Sequence, residues 1–552
     1  MNPAQDGNMN QNVDILLIGY GPAGATMANL LGQRGFSVAV VETADTIYDK
    51  PRAITADHEA LRVFQQCGLG DVIAENTCPH PGTDFVGLQG QIIKRFYPAP
   101  GQPLAWEPTW MFVQPELEAK LRQGVERFAQ VQVHLGHELI SLEQDSDRVH
   151  AQVRRVHDGA ALQFTARYAI ACDGARSSVR RQMGGQIEDL AFDEWWIVVD
   201  AWLRSDTELP ARCVQYCRPS RPGTYIVGPN DLRRWEIKML PGETPEQFQT
   251  EAAIRRVLAD FTDPDALDLC RTAIYRFHAL VAQQWRFGRV FLMGDAAHQM
   301  PPFLGQGLCA AIRDTVNLAW KIEAVERQGA SPRLLDTYGE ERTPHVRTVV
   351  SHAKSFGLII GELDEAKARQ RDADMEAQLR SGQAETVRQK FIPGLTNALI
   401  ALDAAGAPLP GAGSLFPQPW VQATGASDWR RLDDLTDGGF LLVSDHPEAS
   451  HWIGQAAQTF WQRVGGQSVL VGTPAAAHAP GHVLALQERD GLLAQTLAQL
   501  DARVLLVRPD HYVYGCASTP AQLQALLASI EAALFDAAPL ASQARAEPAV
   551  AA

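Results

Sequence analysis

The sequence predicts an α/β protein: a βαβ unit of buried parallel strands at the N-terminus, an antiparallel sheet in the middle of the chain, and a further α/β unit at the C-terminus. Three observations predict this. A short apolar run, a small-residue helical stretch and a second apolar run follow one another within the first 42 residues. β-rich segments separated by Pro and Gly then fill residues 190–245. A third alternation of strand-like and helix-like segments follows a proline-rich stretch after residue 420.

Residues 13–18 (VDILLI) are a continuous apolar run closed by Gly19, as expected of a strand buried on both faces. Residues 22–34 (PAGATMANLLGQR) carry small and apolar side chains at helical spacing, and Gly35 ends the helix. Residues 37–41 (SVAVV) form a second buried strand leading to Glu42, which completes a βαβ unit. From 85 to 110 the chain is rich in Pro, Gly and aromatics and is expected to leave the sheet. Residues 115–128 read as a helix, and 130–172 as strands and hairpins that end in a buried strand at 168–172 (YAIAC). WWIVVDAWL, TYIVG and RRWEIKML supply the antiparallel sheet, and 246–260 a helix. VFLM at 290–293 is again a buried strand. A long helical region, broken near residues 329–332, runs from 306 to 385.

The totals exclude several functions. The 552 residues carry 46% hydrophobic and 20% charged side chains, ordinary for a globular chain, and a formal net charge of -15. That sign repels nucleic acid and anionic membranes. The eight cysteines are scattered through the chain, and Cys213 and Cys217 have no second pair or His cluster at metal-ligand spacing. Reduced thiols and no metal are expected. Residues 1–12 are polar and lack the apolar core of a signal peptide, so a soluble, cytoplasmic protein is expected.

Gly19-Tyr20-Gly21-Pro22-Ala23-Gly24 fits G-x-G-x-x-G, and Glu42 follows 18 residues after Gly24 at the end of the next strand. The first Gly permits the tight turn, the second lets backbone approach a pyrophosphate, and the third lets helix and strand pack closely. The helix N-terminus offers N–H groups to the phosphates, and an acid at position 42 can accept ribose hydroxyls. A Rossmann-type dinucleotide site is implied, and the motif alone suits FAD and NAD equally. Asp173-Gly174 and Gly294-Asp295 each follow a buried strand, and each alone reads as a turn. Gly305-Gln306-Gly307 precedes an amphipathic helix whose positive end can favour negative charge on a reduced flavin.

In this order and spacing, GYGPAG…E, CDGARSSVRR and GDAAHQMPPFLGQGLCAAIRD resemble the class A flavoprotein aromatic hydroxylases over residues 12–350. YDKPRAITADHEALR, RRWEIKMLPGE and YRFHALVAQQWRFGRV resemble most the 3-(3-hydroxyphenyl)propionate hydroxylases. The resemblance implies an FAD-dependent monooxygenase that takes electrons from NADH or NADPH and oxygen from O₂. It would hydroxylate a phenolic acid ortho to its hydroxyl by way of a flavin C4a-hydroperoxide. It implies an FAD-binding Rossmann-type domain (12–80, 111–186 and 280–385, with the long helices) and an inserted antiparallel-sheet substrate domain (81–110 and 187–279). A linker (386–420), a thioredoxin-like α/β domain (421–536) and a disordered tail (537–552) follow. The last domain lacks C-x-x-C, so an interface or packing role rather than redox chemistry is expected of it.

Carried over residue by residue, Gly19, Gly21, Gly24 and Glu42 would hold the ADP half of FAD. Arg52 and Gln114 would contact the flavin. Asp173 would serve FAD and nicotinamide, Asp295 would hold the ribitol, and Pro302, Gly305 and Gly307 would border the isoalloxazine. For the substrate, Tyr275 or His278 could activate a phenol, and Arg221, Arg233 or Arg234 could pair with a carboxylate. His298 is expected to be structural. A small phenolic substrate is the expected partner, with a homodimer suggested by the resemblance. Resorcinol or phenol as substrate, a flavin oxidase or dehydrogenase, and a non-catalytic dinucleotide sensor remain alternatives.

Overall fold

The computed structural model describes residues 10–204, 207–472 and 483–536; the expected disordered tail, 537–552, lies outside them. The chain forms two compact units, Met1–Val316 with Val346–Pro393, and Asn317–His345 with Gly394–Ala552.

In the first unit, strand Asn10–Ile18 pairs in parallel with Val38–Glu42 on one side and Ala161–Ala171 on the other. Val131–Leu135 and Val290–Leu292 extend the parallel run at either end. Ile15, Leu16 and Leu17 are completely buried, as a strand covered on both faces requires. Helix Pro22–Gln33 starts with Pro at its first turn, where the missing N–H costs nothing. Hairpin His137–Gln144 and Val149–Arg155 adds antiparallel strands to Ala161–Ala171.

The second sheet is antiparallel except for the parallel pair Cys213–Tyr216 and Thr83–Val86. Its backbone is two long strands, Ile187–Leu203 and Leu267–Ala282, flanked by Leu232–Lys238 and then Gly223–Val227. Thr83–Val86 and Ile92–Phe96 complete it, so part of the segment expected to leave the first sheet forms an edge of the second. The period-2 alternation divides this sheet cleanly. Ile197, Val199, Ala201, Trp235 and Ile237 pack with Ile254, Val257 and Leu258 of helix Glu251–Leu258. The intervening residues, among them Val198, Asp200, Arg234 and Glu236, face the other way.

The expected helical region resolves into Gly307–Gln328, Thr337–Ile360 and Glu365–Arg380, with the first break at the expected place. In the second unit, Leu441–Ser444, Gln467–Val471 and Val483–Glu488 are parallel neighbours, and Val504–Val507 and Val513–Ala517 add an antiparallel pair. Helix Pro520–Phe535 covers this mixed sheet through Leu523, Leu527 and Ile530, as the α/β expectation required. Among the described residues no helix is long and apolar enough to cross a membrane. All eight cysteines are free.

Candidate active site

The three motifs, 150 and 120 residues apart in sequence, converge on one cavity of about 1220 Å³. Gly21, Arg52, Gln114, Asp173, Asp295, Pro302, Gly305 and Gly307 all line it. So do Arg234, Tyr275 and His278. A dinucleotide end and an antiparallel-sheet end therefore share one space inside the first unit.

The glycines of the first motif divide their roles. A Cβ on Gly19, whose φ is +101°, would lie 2.3 Å from the Cys172 carbonyl oxygen, and one on Gly24 would lie 2.1 Å from that of Gly19. These two let strand and helix touch and do not line the cavity. A Cβ on Gly21 would meet nothing within 4 Å, so its backbone stands open to the space beside the helix N-terminus. Glu42 is also off the cavity: its carboxylate accepts the Tyr20 N–H at 2.7 Å and the Ala44 N–H at 2.9 Å, which pins the turn.

Asp173 accepts the Ser178 and Val179 N–H groups through Oδ2, while its buried Oδ1 has no partner among the described residues. Asp295 faces the cavity with no protein hydrogen bond to its carboxylate among the described residues, and the surrounding protein raises its pKa by desolvation. Gln114, at the start of helix Gln114–Val125, accepts the Ala53 N–H at 2.6 Å and so fixes the segment that carries Arg52. Arg52 stacks over the Tyr48 ring at 4.6 Å. His298 does not line the cavity: its Nε2 meets Asp314 Oδ2 at 2.9 Å, and the same carboxylate oxygen accepts the Gly294 N–H. An open glycine at a helix start, with two acidic side chains turning unused acceptor capacity inward, fits a phosphate-bearing, polyol-bearing cofactor such as FAD.

At the other end, sheet register builds the wall. Asp200 lies directly opposite Arg234 on one neighbouring strand and Arg271 on the other. It accepts Arg234 Nε at 2.7 Å and Arg271 Nη1 at 3.0 Å, and its own side chain is fully buried. Arg271 also donates to the Tyr275 hydroxyl, leaving that hydroxyl's proton free for another acceptor. The next row holds Val198, Glu236, Thr224 and Gln215, with Thr224 Oγ1 donating to Gln215 Oε1 at 2.5 Å. Burial pushes the Glu236 carboxyl up to about 7, a value suited to holding or releasing a proton near neutrality. Its nearest cation is Arg234, at 4.0 Å.

The expected substrate residues separate. Arg234 lines the cavity but is committed to Asp200 and to the Pro51 and Arg52 carbonyls. Arg233, one position along the strand, faces away and donates to the Asn230 and Leu232 carbonyls. Arg221 forms a two-point pair with Glu243, 2.7 Å at each nitrogen, away from the cavity. His278 lines the cavity with Nδ1 3.5 Å from Asp193. Sequence reasoning missed Asp200, Glu236, Arg271, His80 and Arg388. The strand alternation in RRWEIK could have marked Glu236 as sharing a face with Arg234; nothing local marked His80 or Arg388.

The FAD binding domain family matches residues 12–353, and the HcaD C-terminal domain family matches 413–533. The chain is 33% identical, over 95% of both sequences, to a probable NADH-specific resorcinol 4-hydroxylase of Rhodococcus jostii. It is also 33% identical to a 3-(3-hydroxy-phenyl)propionate/3-hydroxycinnamic acid hydroxylase of Mycolicibacterium gilvum, over 91% of this chain and 88% of that one. Its fold is similar to that of the flavin-dependent monooxygenase PieE, solved with FAD and substrate (TM-score 0.79, 23% identity, 95% and 99% of the two chains). It is likewise similar to aklavinone-11 hydroxylase in complex with FAD and aklavinone (TM-score 0.74, 23% identity, 95% and 99%).

Proposed function

Since this chain belongs to the FAD-binding family of flavin-dependent aromatic hydroxylases, we propose that it adds one oxygen atom to a phenolic acid of the 3-(3-hydroxyphenyl)propionate type, ortho to the phenol hydroxyl. The observation that carries this reading is the single cavity shared by the dinucleotide motifs and the polar rows of the second sheet.

When bound, FAD would supply the redox chemistry, a two-electron path from a reduced nicotinamide to O₂, with one oxygen atom going to the substrate and the other leaving as water. The chain's residues do the rest. The helix starting at Pro22 directs free N–H groups and its positive end toward a pyrophosphate beside Gly21. Asp295 and the free Oδ1 of Asp173 accept hydroxyls. Arg52 and Gln114, tied through Ala53, border the flavin side. At the sheet wall the Tyr275 hydroxyl, held by Arg271, donates to the substrate, and Glu236 takes or returns a proton. Val198, Ile226, Phe277 and Phe303 supply apolar contact for the ring and exclude water.

A second reading, a dihydric phenol such as resorcinol, is favoured by the Rhodococcus relative. The Gln215–Thr224–Glu236 row, which can meet a second ring hydroxyl, also favours it. The test is substrate-dependent oxidation of NADH and NADPH by the FAD-loaded enzyme across phenols and phenolic acids, with products identified by mass. Stimulation by a 3-hydroxyphenyl acid with a gain of one oxygen supports the first reading, and the same result with resorcinol alone supports the second. Nicotinamide oxidation that yields only peroxide with every phenol refutes both.

A further inference from the structure

Arg388 is a buried cation with no ion-pair partner of its own among the described residues. It is 9% exposed and lines the cavity. Its Nη2 donates to the Leu304 carbonyl at 2.5 Å, and its Nη1 lies 3.2 Å from His80 Nε2. The other groups around it are already committed or neutral. Asp57 is held by Arg313 and Gln306. Burial pushes the Cys213 thiol up to about 11 and the Cys309 thiol higher still. Arg212, the other cation beside His80, is paired with Asp84 at 2.9 Å. An isolated guanidinium in such a place is costly unless a ligand completes it.

The contact with His80 is itself unsatisfied. His80 Nδ1 accepts the Gly82 N–H at 2.9 Å, so Nδ1 carries no proton. A neutral imidazole must then carry its proton on Nε2. Burial and the two arginines hold the His80 pKa well below its ordinary value, which keeps the ring neutral. Nε2–H and Nη1–H therefore confront each other as two donors with no acceptor between them. One oxygen atom bearing negative charge satisfies both.

We propose that Arg388 and His80 together bind an anionic oxygen of the aromatic substrate. Two sources share that chemistry, the ring phenolate and a side-chain carboxylate. The position favours the phenolate. A Cβ on Gly305 would lie 2.5 Å from Arg388 Nη2, so the guanidinium adjoins the 302–307 segment assigned to the reactive edge of the flavin. An ortho hydroxylation needs its phenol oxygen close to that edge. The pair would thus stabilise the ionised, electron-rich form of the ring. This inference rests on the hydroxylase reading above and assigns the oxygen-binding group within it.

The test uses oxidised, FAD-loaded enzyme and two probes: a nitrophenol, whose visible absorbance reports its ionisation, and 3-phenylpropionate, which has a carboxylate and no phenol. The wild-type enzyme is expected to lower the ionisation pH of bound nitrophenol by about one unit or more. Arg388→Gln is expected to abolish that shift and weaken nitrophenolate binding roughly tenfold to a hundredfold, the usual worth of a charge-assisted pair. 3-Phenylpropionate affinity should stay unchanged. The reverse pattern, with only 3-phenylpropionate weakened, assigns the same pair to a carboxylate and still supports an anionic oxygen. His80→Gln, measured alongside, should show a smaller change of the same kind. Arg388→Gln should also melt no lower than wild type without substrate, since it removes a buried charge that has no ion-pair partner of its own; a structural arginine would show the opposite. If neither variant alters the binding of either probe while phenols still stimulate NAD(P)H oxidation, this proposal alone is overturned. If phenols do not stimulate the wild-type enzyme, the hydroxylase reading falls and this one with it.

Discussion

Gly21 and Gly24 stand three residues apart in one turn, yet opposite physical demands select them. Gly24 is required by protein contact, because any side chain there would strike the Gly19 backbone. Gly21 has ordinary backbone angles (φ −69°, ψ −173°) and open space, so only a ligand explains its lack of a side chain. Gly21→Val is therefore expected to keep the melting temperature of the FAD-free protein and to lose FAD affinity by about tenfold or more. Gly24→Val should lower the FAD-free melting temperature itself. Equal melting losses in both variants would remove the ligand argument for Gly21. Glu236 gives a second residue-scale expectation. Its carboxyl is raised from 4.5 to about 7 on folding, so the folded chain binds more protons than the unfolded chain in that window. Stability from this group is intact below pH 4.5 and is lost as pH rises through about 7. Glu236→Gln removes that loss. In the FAD-free protein the variant should match wild type at pH 4.5 and exceed it at pH 8, on the order of 3 kcal/mol. Thermal or urea unfolding at the two pH values measures this, and equal stabilities at pH 8 would show that Glu236 pays no burial cost.

At the scale of elements, the second sheet is organised by Asp200, which is flanked in register by Arg234 and Arg271. Asp200→Asn leaves two buried guanidinium groups facing a neutral amide. A loss of roughly 3–5 kcal/mol in denaturant unfolding is expected, as when one partner of a buried ion pair is removed. Asp200→Asn should also free Tyr275 by loosening Arg271, so a loss below 1 kcal/mol or so would mean that the network is solvated rather than structural. Much of the element layout was legible in the sequence. VDILLI, SVAVV, YAIAC and VFLM are strands because continuous apolar runs suit a sheet covered on both faces. The motif residues at their ends needed no long-range information beyond the order of those strands. The sheet wall was less legible, because cross-strand register decides which arginine meets which acid. RRWEIK shows that 234 and 236 share a face, but only pairing with residue 200 separates Arg234 from Arg233. Arg388 was invisible in principle. It sits in the short turn Arg388–Phe391, within a proline-containing stretch that reads as a linker, and meets a histidine 308 positions earlier in the chain. No periodicity encodes such a meeting.

At the scale of the whole molecule, the division into units does not follow chain order. Asn317–His345 lies in the middle of the sequence but belongs to the same unit as Gly394–Ala552. Trp320, Ala324, Ala330 and Leu334 share one apolar core with Leu399, Phe440, Phe460, Leu506, Leu523 and Ile530. A polar network fixes the same association. Glu341 accepts Lys321 at 2.7 Å and Arg508 at 2.8 Å, Arg508 also binds Asp510, and all four side chains are buried. Burial within this network lowers the Lys321 pKa to about 8, while its two cationic partners hold Glu341 down near 2. A chain ending at residue 393 would keep all three dinucleotide motifs and the entire cavity wall, including Arg388. It would also keep Lys321 and Glu341 without Arg508, and Trp320 and Leu334 without the core that covers them. Exposing apolar surface of that kind, on the order of 2 kcal/mol for each large side chain, exceeds what a marginally stable unit tolerates. The 1–393 chain is therefore expected to aggregate or to bind FAD poorly, although no motif residue is missing. Coexpressing residues 394–552 should restore soluble, yellow protein if the second unit acts by covering that core. A soluble 1–393 chain that retains FAD and its full melting temperature would show that the C-terminal segment is dispensable for folding, and its role would then have to be sought in the reaction itself.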